Sequence, residues 1–273
     1  MTTICVCNEI KSVPGLYLIE NIFSETLENQ LIADIDCGTW KISRTKERRV
    51  QMLGPWHDNK YKIDWEKEST PLAPWCIEIA NIIKQTIAQF DILNKLKLNE
   101  YDLCSDIKTN VFVNEYKHDG SGLALHFDSR ATFKEAIFGL SLGHGATMTF
   151  RKDLLDLSST PGKYEIHQVY IPPRSLYIMT GPSRYNYEHG FITGYTKSCT
   201  KTDTNNNSDS GVVEYRRVSL TFREIKPKEK VVIITSGKKL ATIKKIGKST
   251  SSSSNKHKAG IKNKSILSFL VKK

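Results

Sequence analysis

The sequence has no long hydrophobic run; its apolar stretches stop after a few residues, as in Val231-Val232-Ile233-Ile234. A helix that crosses a membrane needs about 20 consecutive apolar residues, so a membrane-embedded protein is not expected. The first ten residues, Met-Thr-Thr-Ile-Cys-Val-Cys-Asn-Glu-Ile, lack the basic stretch and apolar segment of a secretory signal. The chain is therefore expected to stay inside the cell. Cysteine is sparse, and none of Cys5, Cys7, Cys37, Cys76, Cys104 and Cys199 makes a C-x-x-C pair, which argues against a zinc knuckle or a dithiol redox centre. They read as reduced thiols. Cys5-Val6-Cys7 offers two soft ligands, too few for a closed metal site.

Enough hydrophobic residues are present, 39% of 273, for one good core. Domains commonly span about 100–200 residues, so one domain with a tail is the simplest organisation. Acidic charge is nearly absent from that tail. Residues 226–273 hold 14 Lys against one Glu, a net of +13, which leaves −2 for residues 1–225 of the chain's +11. The tail also contains Ser249-Thr-Ser-Ser-Ser-Ser254 and few aromatics, the composition of a disordered arm. Polybasic arms attract phosphate backbones by counterion release or act as a nuclear address. The expected location is the nucleus, with the cytoplasm as second compartment.

Along residues 1–225, Gly15–Phe23 alternates like a strand, and Ser24 is placed to cap a helix with Leu27, Leu31, Ile32 and Ile35 on one face. A second amphipathic helix is expected from about Pro74 to Phe90. Between them, 44–65 reads as an irregular stretch carrying Arg48, Arg49, Gln51, Trp56, Tyr61 and Trp65, residue types that stack on and bond to bases. From Asn110 onward come short strand-like runs at 110–116, 136–142, 146–150, 167–171, 175–179 and 218–222. With no long helix between them they point to an antiparallel sandwich or barrel. Thr200–Gly211, rich in Asn, Ser and Asp, reads as a surface loop.

His126-Phe127-Asp128 places two potential ligands at i and i+2, which on a strand share a side, and His189 follows within Arg184-Tyr-Asn-Tyr-Glu-His189-Gly. Two imidazoles and one carboxylate with open positions form the facial triad of non-heme Fe(II) oxygenases. Such a centre needs a co-substrate, commonly the dicarboxylate 2-oxoglutarate. Arg217-Val-Ser-Leu-Thr-Phe-Arg223 supplies two guanidiniums on one side of a strand, and arginine pairs bidentately with carboxylates. The apolar Val218, Leu220 and Phe222 suggest that this strand has one covered face.

Asn114-x-Tyr116, His126-x-Asp128, Ser175-Leu-Tyr-Ile-Met-Thr-Gly-Pro-Ser-Arg-Tyr-Asn-Tyr-Glu-His189 and Arg217-x-Ser219-x-Thr-x-Arg223 follow one another in an order and spacing that resembles the AlkB family of Fe(II)/2-oxoglutarate dioxygenases. The resemblance implies an α+β fold, a double-stranded β-helix (jelly-roll) core with supporting N-terminal helices. It implies an N-terminal extension over 1–13, the oxygenase domain over 14–226 and the Lys-rich tail over 227–273. His126, Asp128 and His189 would hold Fe(II); Asn114, Tyr116, Arg217, Ser219 and Arg223 would hold 2-oxoglutarate. O2 would then be spent hydroxylating a C–H bond with release of succinate and CO2. On an N-methyl group the product falls apart to formaldehyde, so oxidative demethylation of alkylated DNA or RNA bases is the implied reaction. The stretch 44–65 resembles a nucleotide-recognition lid over a flipped-out base, with Arg48, Arg49, Gln51, Trp56 and Tyr61 on it. Arg130 stands where the family's bacterial repair members carry an acidic residue beside a cationic base. That departure, with Asp128–Ile137 and Met179–Tyr185, brings the chain closer to the branch that hydroxylates tRNA wobble uridines. An oxygenase acting on protein, and a nucleic-acid-binding module without chemistry, are the remaining alternatives. The protein is expected to act as a monomer.

At the end of the tail, Ile266, Phe269 and Leu270 follow Asn263 at the spacing of one helical turn. This resembles the short box by which repair proteins plug into the replication sliding clamp, with Asn263 in place of glutamine and Leu270 in place of a second aromatic. Clamp binding through 263–270 would put the protein on DNA in the nucleus.

Overall fold

The computed structural model describes residues 5–43, 48–55, 63, 69–105, 108–117, 122–154, 163–191 and 215–227. Trp56, Tyr61, Trp65, the loop 200–211 and the clamp-like Ile266, Phe269 and Leu270 lie outside the described residues. In chain order the elements are β1 (Cys7–Glu9), β2 (Leu16–Ile19), α1 (Glu25–Asp36), β3 (Lys41–Ile42), β4 (Arg49–Leu53), α2 (Pro74–Ala88) and α3 (Asp91–Lys95). They continue with β5 (Thr109–Tyr116), β6 (Leu123–His126), β7 (Phe133–Gly143), β8 (Ala146–Asp153), β9 (Tyr164–Ile171), β10 (Ser175–Met179), α4 (Gly181–Tyr185), β11 (Glu188–Phe191) and β12 (Arg217–Ile225).

Among the described residues the strands form two antiparallel sheets, of eight strands in the order β1-β2-β10-β7-β12-β5-β4-β3 and of four in the order β6-β11-β8-β9. From β5 onward the chain passes repeatedly from one sheet to the other, the jelly-roll habit. Ser24 caps α1 as its sequence suggests, its hydroxyl accepting from Leu27 N at 3.2 Å. Leu31 and Ile35 of α1, with Ile79 and Ile83 of α2, pack against Val111, Val113, Leu140, Leu220 and Phe222 on one face of the large sheet. On its other face Tyr116, Ile137, Tyr177 and Met179 meet Ala146, Met148, Phe150, Val169 and Phe191 of the small sheet. The result is three layers: helices, large sheet, small sheet.

Two expectations need correcting. Within the supposedly irregular 44–65, Arg49–Leu53 is a strand, paired with β5 from Arg49↔Glu115 to Leu53↔Val111; its mixed polar composition hid it. And β12 is covered on both faces, with Arg217, Ser219 and Arg223 as buried as Val218, Leu220 and Phe222. The second sheet, not solvent, lies over the arginine side. Among the described residues, Cys7, Cys37, Cys76 and Cys104 are in no disulfide.

Candidate active site

Strand register assembles the triad. His126 of β6 stands directly opposite His189 of β11, so both rings project from the inner face of the small sheet, 4.5 Å apart between centroids. Asp128 joins them just past the end of β6, its Oδ2 3.6 Å from His189 Nε2. One ligand atom from each residue falls within 4.8 Å of the other two, so the three could hold one metal ion. His126 Nδ1 lies 3.0 Å from the carbonyl of Ala124. A carbonyl only accepts, so Nδ1 carries the proton and Nε2 is left bare as a ligand atom.

The surroundings set the charges that metal binding requires. Burial pulls the pKa of His189 from 6.5 down to about 3, His126 adding to the effect and Asp128 opposing it, so the imidazole is neutral at physiological pH. Burial acts the other way on Asp128, but the Arg223 guanidinium, then His189, His126 and Arg184, hold its carboxyl well below the usual carboxylate range. Arg223 donates from Nη1 to Asp128 Oδ1 at 2.7 Å and from Nη2 to Asn110 Oδ1 at 2.7 Å. Arg184, 1% exposed, donates to the carbonyls of Asp128 (2.8 Å) and Ser129 (3.1 Å), fixing the backbone that carries the carboxylate.

The large sheet supplies the facing wall. Arg217, 1% exposed, donates from Nε to Ser141 Oγ at 3.0 Å, and its guanidinium lies 4.2 Å from the Phe191 ring centroid and 5.3 Å from that of Tyr116. Its Nη2 and the Tyr116 hydroxyl are both buried without a hydrogen-bond partner among the described residues. A buried polar group left so costs about 1–3 kcal/mol, and two of them side by side, one cationic, are what an anionic co-substrate would satisfy. Burial pushes the Tyr116 pKa up to about 12, so its hydroxyl is a donor. Asn114 Oδ1 accepts from Arg48 Nε at 2.9 Å, and Arg48 Nη1 reaches the Gly122 carbonyl at 3.0 Å. Ser219 and Thr221 share hydrogen bonds with Tyr177, whose ring crosses β7 over Gly139; a Cβ there would come within 1.9 Å of Tyr177 Cζ. Neither Tyr177, Arg184 nor Asn110 stood out in the sequence as a site residue. An isolated glycine inside a strand run, as Gly139 is, signals such a close approach.

Arg49 and Gln51 are corrections. Arg48 faces the site, so the period-2 alternation of β4 turns Arg49 and Gln51 to the helix side. Arg49 there pairs with Glu115 and lies over Trp40, and Gln51, 4% exposed, donates to the Ile35 carbonyl at 2.7 Å. Neither side chain faces the triad. Arg130 is exposed, with its Nη2 donating to the Tyr185 carbonyl and its guanidinium 4.8 Å from the Phe127 ring centroid.

A two-His, one-Asp cluster beside buried cationic donors is the arrangement of an iron and 2-oxoglutarate site, and the family described as the 2OG-Fe(II) oxygenase superfamily matches residues 15–223. The chain belongs to that superfamily. Its relatives place it among the AlkB-like members. Uncharacterized protein L905 of Acanthamoeba polyphaga mimivirus is 32% identical over 221 residues, 81% of this chain and 89% of that protein. The tRNA (carboxymethyluridine(34)-5-O)-methyltransferase ALKBH8 of Mus musculus is 31% identical over 182 residues, 65% of this chain but 24% of that protein. The DNA N6-methyl adenine demethylase of Caenorhabditis elegans is 25% identical over 212 residues, 78% of this chain and 60% of that protein. A dioxygenase of this superfamily uses Fe(II), 2-oxoglutarate and O2.

Proposed function

We propose that this oxygenase oxidises a base in nucleic acid, most directly by demethylating an alkylated base in DNA or RNA. The observation that carries the oxygenase chemistry is the pair of unsatisfied buried donors, Arg217 Nη2 and Tyr116 OH, on the sheet that faces the His126–Asp128–His189 cluster. Bound there, Fe(II) and 2-oxoglutarate supply O2 activation, with succinate and CO2 released and one C–H bond hydroxylated. His126 Nε2, Asp128 and His189 hold the metal. Arg217 and Tyr116 bind one carboxylate of the co-substrate, Arg223 holds Asp128 in place and reaches the other, and Asn114, anchored by Arg48, and Ser219, anchored by Tyr177, complete the cradle. The alternation of β5–β12 between sheets supports reading the core as a double-stranded β-helix.

The nucleic-acid target is carried by the relatives that act on tRNA and on DNA. A second reading, hydroxylation of a tRNA wobble-uridine substituent, is favoured by Arg130. A guanidinium two residues past the metal-binding aspartate repels a cationic alkylated base and leaves a neutral or acidic uridine substituent unopposed. Arg48 and Arg130, with Trp56 and Tyr61 of the 44–65 stretch, are proposed to contact the nucleic acid. The Lys-rich tail would add attraction to phosphate backbones and a nuclear address, and Ile266, Phe269 and Leu270 would bind a sliding clamp; the protein would work as a monomer. The test is Fe(II)-loaded protein with labelled 2-oxoglutarate and a panel of methylated DNA, methylated RNA, tRNA and peptide, reading succinate release and product mass together. A product 14 mass units lighter supports demethylation, one 16 heavier supports uridine hydroxylation, and modification of the peptide alone refutes both.

A further inference from the structure

The inner face of the small sheet carries two straight rows of residues, and the triad fills only one end of them. His126 pairs with His189, His189 with Phe150 and Phe150 with His167, so all four project to the same side. Two positions further along the strands, and therefore on that side again, stand Asp128, Tyr187, Lys152 and Glu165, the last two directly paired. Deeper on the same face Ala146, Met148, Val169 and Ile171 are buried in the core, as inner faces of sandwiches are. At this end the face turns polar and opens: the side chains of Lys152, Glu165 and His167 are 37%, 33% and 26% exposed.

Those polar groups are organised around one carboxylate. Glu165 Oε1 accepts from His167 Nε2 at 2.7 Å and from the Tyr187 hydroxyl at 2.9 Å, while Lys152 Nζ stands 3.5 Å from Oε2. The buried Tyr187 stands between Asp128 and Lys152 in its row, so the cluster lies on the same wall as the triad. Two strand spacings, about 10 Å, separate His167 from His189, the reach of a base and its sugar when the reacting carbon lies at the triad. A phosphate in that position would need donors alone and would be repelled by Glu165. A sugar hydroxyl both donates and accepts, and the cluster offers both: Glu165 Oε2 as acceptor and Lys152 Nζ as donor.

We propose that Lys152, Glu165 and His167 form a shelf that reads the ribose 2′-hydroxyl of the target nucleotide, making the substrate RNA. The 2′-hydroxyl is the group by which a protein separates RNA from DNA at one position, and a site built to bond a hydroxyl discriminates against the analogue that lacks it. The shelf rests on the nucleic-acid reading above. Its test uses matched ribo- and deoxyribo-oligonucleotides, each pair carrying N6-methyladenine, N1-methyladenine or 5-carboxymethyluridine, with succinate release from labelled 2-oxoglutarate as the readout. For the pair that is turned over, the ribo member is expected to have a kcat/KM about tenfold or more above its deoxyribo partner. Glu165→Ala should bring that ratio close to one by lowering the RNA value alone, and Glu165→Gln, which keeps an acceptor oxygen, should recover part of it. A merely structural Glu165 would lower both members together. Equal efficiency on both members in the unaltered protein, or a ratio that survives Glu165→Ala, overturns the shelf and leaves the oxygenase reading standing. If Glu165→Ala does not fold, the unaltered ratio and Glu165→Gln decide. Silence on every oligonucleotide in a preparation that turns over 2-oxoglutarate overturns the nucleic-acid reading and the shelf with it.

Discussion

Tyr116→Phe separates the two uses a buried hydroxyl can have, because its expected effects on stability and on binding have opposite signs. The residue is 3% exposed, and its hydroxyl has no hydrogen-bond partner among the described residues. A buried polar group left unsatisfied costs about 1–3 kcal/mol, so removing it relieves the ligand-free protein, less the small loss of packing where one oxygen was. For a domain of this size 1 kcal/mol moves Tm by about 2–4 °C. The ligand-free variant should therefore melt at the same temperature or a few degrees higher. With 2-oxoglutarate the sign reverses: a hydrogen bond to a charged group contributes about 1.5–3 kcal/mol, so affinity should fall about tenfold to a hundredfold. Thermal unfolding of the ligand-free protein and calorimetric titration of 2-oxoglutarate into Mn(II)-loaded protein read the two effects. A variant that melts lower and binds 2-oxoglutarate unchanged would show that the hydroxyl serves the fold and would refute its place in the cradle.

Arg217→Ala and Arg223→Ala should each raise the 2-oxoglutarate requirement at least tenfold, since losing one partner of a desolvated charge pair costs about 2–5 kcal/mol; unchanged affinity in both would remove the arginines from the cradle. His126→Ala and His189→Ala should abolish succinate release in a folded protein, as should Asp128→Asn, whereas Asp128→Ala also removes the carboxylate paired with the buried Arg223 and should lower Tm markedly; succinate production at the unaltered rate in any of them contradicts the metal assignment. Because folding lowers the pKa of His189 from 6.5 to about 3, only the unfolded chain takes up its proton between those values, so metal-free stability should be full above pH 6.5 and fall by up to about 1.4 kcal/mol per pH unit below it. Below the ordinary Asp value of 3.8 the depressed Asp128 adds a second loss of the same sign; denaturant titrations in which His189→Gln leaves the decline between pH 6.5 and 4 as steep would contradict the assignment of that limb. Gly139→Ala should destabilise strongly by driving a methyl into the Tyr177 ring, and Tyr177→Val in the same chain should restore much of the loss; failure to rescue would place the strain elsewhere.

What could be read from the sequence, and what could not, follows from the range over which each residue's partners lie. The His126/Asp128 pair, the Arg217/Arg223 pair and the Ser24 cap are local patterns, fixed by spacing of two, six and three residues; the structure forms the cap and brings the first two sets together, with His189 joined to them by the register of β6 and β11. The facing of β4 was not legible in the same way, because alternation shows that Arg48 and Arg49 point to opposite sides but not which side is which. That is decided by pairing with β5, where Glu115 meets Arg49 on the helix side and Asn114 takes Arg48 on the other. Arg184 was visible as a motif residue, yet its function depends on carbonyls 55 and 56 positions away in the chain. The same reasoning explains why the Lys152–Glu165–His167 cluster is invisible in a linear reading. Each of these residues, taken in its own strand, is an ordinary polar position, and only the register that lines His126, His189, Phe150 and His167 into one row shows that the cluster shares a wall with the metal ligands. Local spacing therefore carries the His126/Asp128 and arginine pairs, while the register between strands adds His189 and carries the surroundings of the substrate, and it is in those surroundings that a fold shared by DNA- and RNA-directed relatives has room to differ.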